Sequence, residues 1–384
     1  MNNHASVNGD DIAKTDVNNS IVEINDELEN NDQVSMANNA IAAKNQDLKD
    51  HCFQKLGRAV LQFLRKLLVV SLFAGMGGID HALHQTGCFQ TVCANEINDY
   101  PARVMEANFP LKVDRRDIRD VLPEDIPYVD VIAFGFPCQP YSIAGKQEGF
   151  DDEKGRGDLF FEVMRLVHVK KPRILIAENV KNLVHHDGGK TFAAILNAMV
   201  AEGYKVAYKI MDAAEYGNVP QHRERVYIIG FREEADYNRF RFPDPIPLTT
   251  KLSDVIDFEN PVDPKYYYTP GKHKSEICEK LAAEIDDPNF VYQYRRTYVR
   301  KIKSGLIPTL TANMGTGGNN VVLVLTKYGI RKLTPRECLN AMGFPKDFVL
   351  PEGIADSHLY EMAGNSVCIP VVRRIAENIV KAIS

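Results

Sequence analysis

The chain has 384 residues, of which 45% are hydrophobic, and it carries a formal net charge of −5. This length suffices for one large domain and a smaller one, and the hydrophobic share suffices for a full core. No run of about 18 apolar residues occurs, and the N-terminus lacks a signal-peptide pattern, so neither a membrane span nor secretion is expected. Seven cysteines without a C-x-x-C pair argue against a disulfide framework and against a metal site of the zinc type.

The N-terminal segment differs in composition from the rest of the chain. Residues 1–50 hold ten acidic residues and three lysines, a net charge of −7, so the remaining residues carry +2. Because the segment is rich in Asn and Asp and poor in aromatics, we predict a disordered acidic leader. Residues 51–66 are typical of a basic amphipathic helix that leads into the first predicted strand, and the sequence leaves open whether it braces the following domain or contacts a ligand.

The first predicted strand, 67–70, leads through a glycine turn into a helical segment. Gly75 and Gly77 permit a tight turn and the close approach of a ligand. A dinucleotide site would require G-x-G-x-x-G, and this turn lacks the third spaced glycine. Glu96 ends the next apolar stretch about 20 residues on, where an acidic residue can hold ribose hydroxyls. Asp117 could make a third contact, and a nucleoside cofactor without a diphosphate therefore fits better than a nicotinamide dinucleotide.

A cysteine follows the strongest apolar run, 129–136. Cys138 lies on the loop that leaves the carboxyl end of this predicted strand, where open α/β sheets place their chemistry. Pro137 fixes its own φ and restricts the backbone of the residue before it, so the loop begins with little conformational freedom. These residues alone leave open a buried structural thiol. The polar, glycine-punctuated stretch 139–156 is typical of a mobile lid.

Two further segments place charged groups at predicted strand ends. Glu178 follows the apolar run 174–177 and is either a surface cap or a general acid with a raised pKa. Arg223 and Arg225 are two residues apart on an extended segment, so they share one face. They could clamp a phosphate or a base carbonyl, although a solvated charge run has the same pattern.

Together these segments resemble the DNA (cytosine-5) methyltransferase family of the bacterial restriction-modification type, in both motif content and motif order. The resemblance runs from about Leu67 to the C-terminus, with a variable stretch from about 240 to 325. The matching pieces are Phe73–Gly78, Asn95–Glu96, Asp117–Ile118, Gly135–Pro140, Glu178–Val180, Gln221–Arg225, Arg331–Cys338 and Gly364–Val367.

The resemblance implies an α/β fold. This is the S-adenosylmethionine-dependent methyltransferase fold, Rossmann-like, with a mostly parallel sheet and an antiparallel edge, joined to a small irregular β-rich target-recognition domain. The expected limits are 67–242 for the catalytic, cofactor-binding domain and 243–350 for the target-recognition domain. Residues 351–384 would return to the catalytic domain.

The resemblance also implies the reaction and the site. A methyl group would pass from S-adenosylmethionine to C5 of a flipped-out cytosine in a specific double-stranded DNA sequence, through a covalent bond between Cys138 and C6. Glu178 would act at ring N3, and Arg225 with Arg223 would hold the ring carbonyl and a phosphate. This chain departs from the family at Ile97, where a bulky aromatic residue is common after the glutamate. The expected cofactor residues are Phe73, Gly75, Gly77, Glu96, Ile97, Asp117, Ile118, Gly135, Pro137, Leu159 and Asn365.

Residues 290–322 are predicted to read the DNA sequence. Five cations interleaved with tyrosines suit phosphate contacts, although a merely solvated basic face has the same composition. The loop that follows offers short polar side chains and glycines, which allow close approach to base edges. The expected DNA-contacting residues are Arg295, Arg296, Arg300, Lys301, Lys303, Thr309, Thr311 and Asn313.

Other functions remain possible on sequence grounds. A tRNA cytosine-5 methyltransferase of the DNA-methyltransferase-like type would share most motifs, but this chain lacks the Cys-Phe-Thr insertion by which such enzymes resemble one another. A catalytically silent DNA-binding regulator would not need Cys138, Glu178 and Arg225 together. The glycine spacing disfavours a nicotinamide dehydrogenase. The family pattern implies a monomer in the bacterial cytoplasm, with a cognate restriction endonuclease acting on the same site but forming no stable complex.

Overall fold

The computed structural model describes residues 66–137, 159–271, 273–295, 297–315 and 322–384. The predicted leader, the predicted helix before Lys66, Cys138, the predicted lid and Arg296 lie outside the described residues. Among the described residues, no helix combines the length and the apolar character needed to cross a membrane.

A seven-stranded sheet forms the centre of the larger part of the fold. Its strands are β1 (Leu67–Leu72), β2 (Phe89–Asn95), β3 (Val113–Asp114), β4 (Val131–Phe134), β5 (Ile174–Val180), β6 (Lys205–Asp212) and β7 (Glu224–Phe231). The strand order is β3-β2-β1-β4-β5-β7-β6. Strands β2 and β3 lie on one side of β1, and β4 to β7 lie on the other. The direction in which strands are added therefore reverses between β1 and β4.

Helices cover both faces of this sheet. They are α1 (Gly78–His84), α2 (Asp99–Asn108), α3 (Leu159–Lys170), α4 (Lys190–Ala201), α5 (Ala213–Gly217) and α6 (Glu234–Arg239). Strand β4 is buried at every residue, with Val131 and Ala133 in one hydrophobic core and Ile132 and Phe134 in the other. Such continuous apolar runs are typical of strands that are covered on both faces.

The predicted antiparallel edge of the sheet is confirmed. Strand β7 pairs antiparallel with both β5 and β6, whereas the pairs among β1 to β5 are parallel. Only a short connection, with the single short helix α5, separates β6 from β7, which leaves no room for the long crossover that parallel neighbours require. The fold class predicted from the sequence is therefore confirmed.

A second, smaller sheet lies later in the chain. Its strands are β8 (Val291–Arg295), β9 (Tyr298–Lys301), β10 (Val322–Thr326) and β11 (Gly329–Lys332), all antiparallel, in the order β11-β10-β8-β9. The short helix α7 (Leu252–Val255) precedes it, and α8 (Ser275–Glu284) shares an apolar cluster with its strands through Leu281, Tyr292 and Leu323.

The last three helices connect this sheet with the larger one. They are α9 (Pro335–Asn340), α10 (Asp356–Asn365) and α11 (Ile369–Ile383). Helix α11 packs against α1, α5 and α6, while α10 packs against the 3-10 turn Ala312–Gly315. The end of the chain thus contacts the larger sheet's helices, which fits the expected return of residues 351–384; the domain limits themselves stay a prediction.

Candidate active site

A cavity of about 480 Å³ lies at the carboxyl ends of β1, β2, β4 and β5. Parallel strands bring their carboxyl ends to one edge of the sheet, and a crevice opens where the strand order reverses. The far wall of the cavity comes from the end of α10 and the residues after it, among them Met362, Asn365 and Val367. Every predicted cofactor residue except Gly77 lines this cavity.

The glycine turn after β1 forms the floor of the cavity. Phe73 has a φ of 51° and Gly75 a φ of 57°, so two residues of the turn adopt the left-handed region. For a bulky residue this region is strained, and strain of this kind tends to mark functional sites. Gly77, with a φ of 82°, caps α1 and packs so closely on Phe109 that a Cβ would lie 2.6 Å from its ring. These two features require a glycine for conformational reasons, while the contact of Gly77 with the cofactor stays a prediction.

The Glu96 carboxylate is held in place by backbone amides. Its Oε2 accepts the Gly75 amide at 2.9 Å, and its Oε1 accepts the Asn98 amide at the same distance. Burial raises the pKa of the Glu96 carboxyl, and these two hydrogen bonds oppose the shift. Each oxygen keeps a lone pair, so the fixed carboxylate can accept the two hydroxyls of a ribose.

The start of α1 lies close to residues near the end of the chain. In dinucleotide-binding folds this helix N-terminus receives the diphosphate. Here a Cβ at Gly78 would lie 2.5 Å from Ser366 Oγ and 3.2 Å from the Val367 side chain. Ser366 and Val367 thus lie against the first residue of α1, which fits the predicted nucleoside cofactor without a diphosphate, such as S-adenosylmethionine.

The opposite side of the cavity suits a flat apolar ring. Ile97, Ile118 and Leu159 line it, and Ile97 is 61% exposed at the rim. An isoleucine side chain can pack on an adenine face, although it offers less area than an aromatic ring. Asp117 accepts the Arg119 amide at 2.9 Å and pairs with the Arg119 guanidinium at 3.0 Å. Arg119 thus fixes the Asp117 carboxylate in the cavity lining, and its contact with an adenine amino group stays a prediction.

Glu178 and Arg225 form a buried ion pair in the cavity wall. Arg225 Nε lies 3.1 Å from Glu178 Oε1, but the angle falls outside hydrogen-bond geometry. Glu178 Oε1 therefore has no hydrogen-bond donor among the described residues. Burial raises the pKa of the Glu178 carboxyl, and the charges of Arg225 and Arg223 oppose that shift. A buried carboxyl oxygen without a donor is costly, which indicates a ligand group as its partner.

Arg223 is completely enclosed, and its guanidinium binds backbone carbonyls. Its Nη1 donates to Leu310 O at 2.9 Å, and its Nη2 donates to Gly364 O at 3.0 Å and also to Ser366 O. Burial lowers the pKa of Arg223 to about 9, which still leaves the side chain charged at neutral pH. The sequence pattern alone gave Arg223 and Arg225 the same role, whereas their surroundings differ.

The loop that leads to Cys138 is anchored through Asn179. The buried Asn179 donates from Nδ2 to Phe136 O at 3.1 Å, while its Oδ1 accepts the Val180 amide at 2.8 Å. Gly135 lies beside Glu178, since a Cβ there would sit 3.7 Å from Glu178 Oε2. The sequence motif contained Asn179, yet only the fold shows that its amide bridges the ends of β4 and β5.

Three cavity residues, Tyr100, His358 and Glu361, had no motif to reveal them. The rings of Tyr100 and His358 stack with centroids 3.8 Å apart, and His358 Nδ1 lies 3.7 Å from Glu361 Oε2. All three side chains line the cavity. They come from α2 and α10, which are more than 250 residues apart in the chain, so no local sequence pattern could have joined them.

The predicted DNA-contacting residues fall into two groups. Arg295 is partly buried at the end of β8, whereas Arg300 and Lys303 are exposed on and after β9. Lys301 is already paired, because its Nζ lies 3.4 Å from Asp286 and 3.3 Å from Asp287.

The second group lies on the segment that follows the second sheet's hairpin. Thr309 Oγ1 donates to His222 O at 2.8 Å, and Thr311 Oγ1 donates to Asn313 Oδ1 at 2.8 Å. The Asn313 side chain is exposed. The structure thus brings Thr309 next to the segment that carries Arg223, but it leaves the DNA contacts of all these residues as predictions.

Comparisons with known proteins identify the family of the chain. The sequence profile described as C-5 cytosine-specific DNA methylase matches residues 67–381. The Type II methyltransferase M.Bsp6I of Bacillus sp. (strain RFL6) is 52% identical over 316 residues, covering 82% of this chain and 99% of that protein. The Type II methyltransferase M.HhaI of Haemophilus parahaemolyticus is 36% identical over 329 residues, covering 82% and 95%.

Solved structures share the fold at low sequence identity. The Entamoeba histolytica methyltransferase EhMeth superposes with a TM-score of 0.65 at 17% identity, covering 83% of this chain and 99% of that one. The S. pombe Dnmt2 methyltransferase gives a TM-score of 0.63 at 16% identity, covering 83% and 100%. The family indicated by the motifs is confirmed by the profile and the relatives. The chain belongs to the C-5 cytosine-specific DNA methylases, enzymes that transfer a methyl group from S-adenosylmethionine to C5 of cytosine in double-stranded DNA.

Proposed function

We propose that this enzyme methylates a cytosine within one short recurrent DNA sequence, and that it does so through a covalent bond between Cys138 Sγ and C6 of a flipped-out base. The observation that carries this proposal is the buried Glu178 Oε1, which has no hydrogen-bond donor in the described part of the chain although it lines the cavity. A cytosine ring brought out of the duplex would bring its N3 to such a group.

The chemistry explains why a thiol and a carboxyl are needed together. C5 of cytosine is a weak nucleophile, and adding a thiolate at C6 turns C5 into an enamine-like carbon. The Sγ–C6 bond forms while the electron pair of the C5–C6 bond shifts through the ring toward N3. Glu178 stabilises that charge by holding a proton at N3, a task for which its raised pKa suits it. S-adenosylmethionine, when bound, supplies an electrophilic methyl group to this site.

The remaining residues orient the two reactants. Glu96 would hold the ribose of the cofactor, and Ile97 and Ile118 would pack on its adenine. Arg225 would donate to the O2 carbonyl of the base from its place beside Glu178. Arg223, by contrast, would act by positioning, because its guanidinium already serves backbone carbonyls.

The biological setting follows from the relatives that are named Type II methyltransferases. We infer a role in a bacterial restriction-modification system, in which methylation protects the host's own sites from a cognate endonuclease. The enzyme would work as a monomer in the cytoplasm, and residues 243–350 would contain the region that reads the target sequence.

Bisulfite sequencing tests the reaction, the nucleophile and the target together. DNA from cells that express the chain is compared with DNA from cells that express Cys138→Ala at the same level. We expect cytosines protected in one short motif with the first and none with the second. Protection by Cys138→Ala would disprove the covalent mechanism. Unprotected DNA together with protected tRNA from the same cells would favour the RNA methyltransferase instead.

A further inference from the structure

The segment expected to read DNA is joined to the cofactor cavity by Arg223. We call Ile307–Gly315 the recognition segment and Met362–Val367 the cofactor wall. The buried guanidinium donates to Leu310 O in the recognition segment and to Gly364 O and Ser366 O in the cofactor wall. One rigid, planar group thus holds both elements, which a flexible lysine could not do with the same geometry.

The recognition segment is also bonded to the segment that carries Arg223, just before β7. The His222 amide donates to Ile307 O and the Ile307 amide to Pro220 O, both at 2.8 Å. Gln221 is fully buried, and its Nε2 donates to Ala341 O at 2.8 Å. The residues directly before Arg223 are thus held to the recognition segment by backbone hydrogen bonds, in addition to the contacts of the guanidinium itself.

The two elements also touch directly through their backbones. A Cβ at Gly364 would lie 2.2 Å from the carbonyl carbon of Thr311 and 2.3 Å from the Ala312 amide nitrogen. A Cβ at Gly315 would lie 2.8 Å from Tyr360 Cβ, on the helix that ends in the cofactor wall. At Gly364 the two backbones meet directly, so we expect a displacement of the recognition segment to displace the cofactor wall.

We propose that Arg223 is a positioning residue that couples DNA binding to cofactor binding. DNA held by the recognition segment would fix the cofactor wall, and a bound cofactor would in turn fix the recognition segment. Such coupling is reciprocal, so each ligand tightens the other by the same factor. This inference rests on the proposed function, since it assumes that Ile307–Gly315 contacts DNA.

Calorimetry with S-adenosylhomocysteine measures the coupling. Its Kd is determined alone and with a saturating duplex that carries the motif found by bisulfite sequencing, for the wild type, Arg223→Lys and Arg173→Lys. We expect DNA to lower the wild-type Kd on the order of tenfold, and Arg223→Lys to reduce this factor to about one. Arg173 is the matched control, because it also donates to a backbone carbonyl, Ile383 O, but lies away from both elements.

The outcomes separate this inference from the proposed function. A wild type that methylates the duplex but binds S-adenosylhomocysteine equally well with and without DNA would overturn the coupling alone. Full coupling in Arg223→Lys would do the same. A wild type that methylates no DNA would overturn the function itself, whatever the binding data.

Hydrogen exchange on the wild type covers the case in which Arg223→Lys does not fold. Saturating S-adenosylhomocysteine without DNA should slow exchange of the Ile307, Leu310 and Met314 amides several-fold. These amides donate to Pro220 O, Gln221 Oε1 and Thr311 O, and they lie in the recognition segment rather than in the cavity lining. Unchanged exchange at all three would refute the coupling.

Discussion

Glu178 and Arg225 lie diagonally across the antiparallel pair β5–β7, with Arg225 Nε 3.1 Å from Glu178 Oε1. The register pairs Glu178 with Tyr227 and Val180 with Arg225. Side chains two residues apart on a strand share a face, so this diagonal brings the carboxylate and the guanidinium together in the cavity wall. The reversed direction of β7 is therefore what places a cation beside the buried acid.

This arrangement predicts how the rate of methyl transfer depends on pH. Burial raises the pKa of Glu178, so the carboxyl keeps its proton to a higher pH than an exposed one would, and the wild-type rate should fall as pH rises through that raised value. Glu178→Gln should slow methyl transfer by about 10²-fold or more and remove the alkaline fall, because an amide does not titrate in this range. Labelled-methyl transfer measured across pH checks both.

Glu361→Gln is the matched control for this experiment. Glu361 lines the same cavity on α10, away from the β5–β7 pair. Its substitution should leave the alkaline fall in place. An alkaline fall that persists in Glu178→Gln would assign the titrating group elsewhere.

A substitution of Asn179 should slow the reaction without weakening the binding of DNA. Asn179→Asp keeps the size of the side chain but turns the donor toward Phe136 O into an acceptor, so the residues before Cys138 lose their anchor. We expect kcat to fall on the order of tenfold to a hundredfold, since small misplacements of a reacting group have effects of this size. The KM for DNA should change by about twofold or less, and an unchanged kcat would show that Phe136 needs no anchor.

The sequence predicted those parts of the site whose partners are local or whose motif is continuous. Apolar runs followed by Gly75, Glu96 and Glu178 marked strand ends, and parallel strands necessarily gather these ends at one edge. The antiparallel edge followed from the short connection between the last two runs. For these features the physics is contained within about 20 residues of chain.

The parts that escaped prediction depend on contacts between distant segments. Arg223 and Leu310 are 87 residues apart, and Arg223 and Gly364 are 141 apart, so a local pattern could not distinguish Arg223 from Arg225. Lys301 looked equivalent to its basic neighbours until Asp286 and Asp287 were found beside it. In each case charge and spacing were visible in the sequence, while the partner was set by tertiary packing.

Two substitutions of Phe73, in the strained turn after β1, should weaken ligand binding equally but differ in their effect on the free energy of unfolding. Phe73 adopts a φ of 51°, which costs a residue with a Cβ about 1–2 kcal/mol and costs glycine little. Phe73→Gly and Phe73→Ala both lose the ring, so both should bind S-adenosylhomocysteine more weakly by a similar factor. The glycine variant should nevertheless be the more stable one, by about 1 kcal/mol in urea unfolding. Equal stability of the two would mean that the turn relaxes without strain.

The different surroundings of the basic residues predict different salt dependences of DNA binding. Arg300 and Lys303 are exposed, whereas Lys301 is balanced by two carboxylates. A residue that neutralises one phosphate contributes about 0.9 to the slope of log K against log salt. Arg300→Ala should therefore reduce the slope by close to that amount, and Lys301→Ala should reduce it by much less. Equal changes in fluorescence-anisotropy titrations would place the phosphate contacts elsewhere.

The buried carboxyl of Asp80 on α1 should make the free energy of unfolding depend on pH. This fully buried carboxylate accepts the Ser71 hydroxyl at 2.8 Å and the Thr91 hydroxyl at 2.7 Å, and burial raises its pKa above the ordinary 3.8. A raised folded-state pKa gives stability that is complete below the unfolded value and is lost as pH rises through the folded value. Asp80→Asn stays neutral, so its free energy of unfolding should rise relative to the wild type as pH increases. Ser71→Ala keeps the titrating carboxyl, so its free energy of unfolding should still fall with rising pH relative to Asp80→Asn. A difference between Asp80→Asn and the wild type that stays constant with pH in urea unfolding would show that Asp80 does not change its protonation on folding.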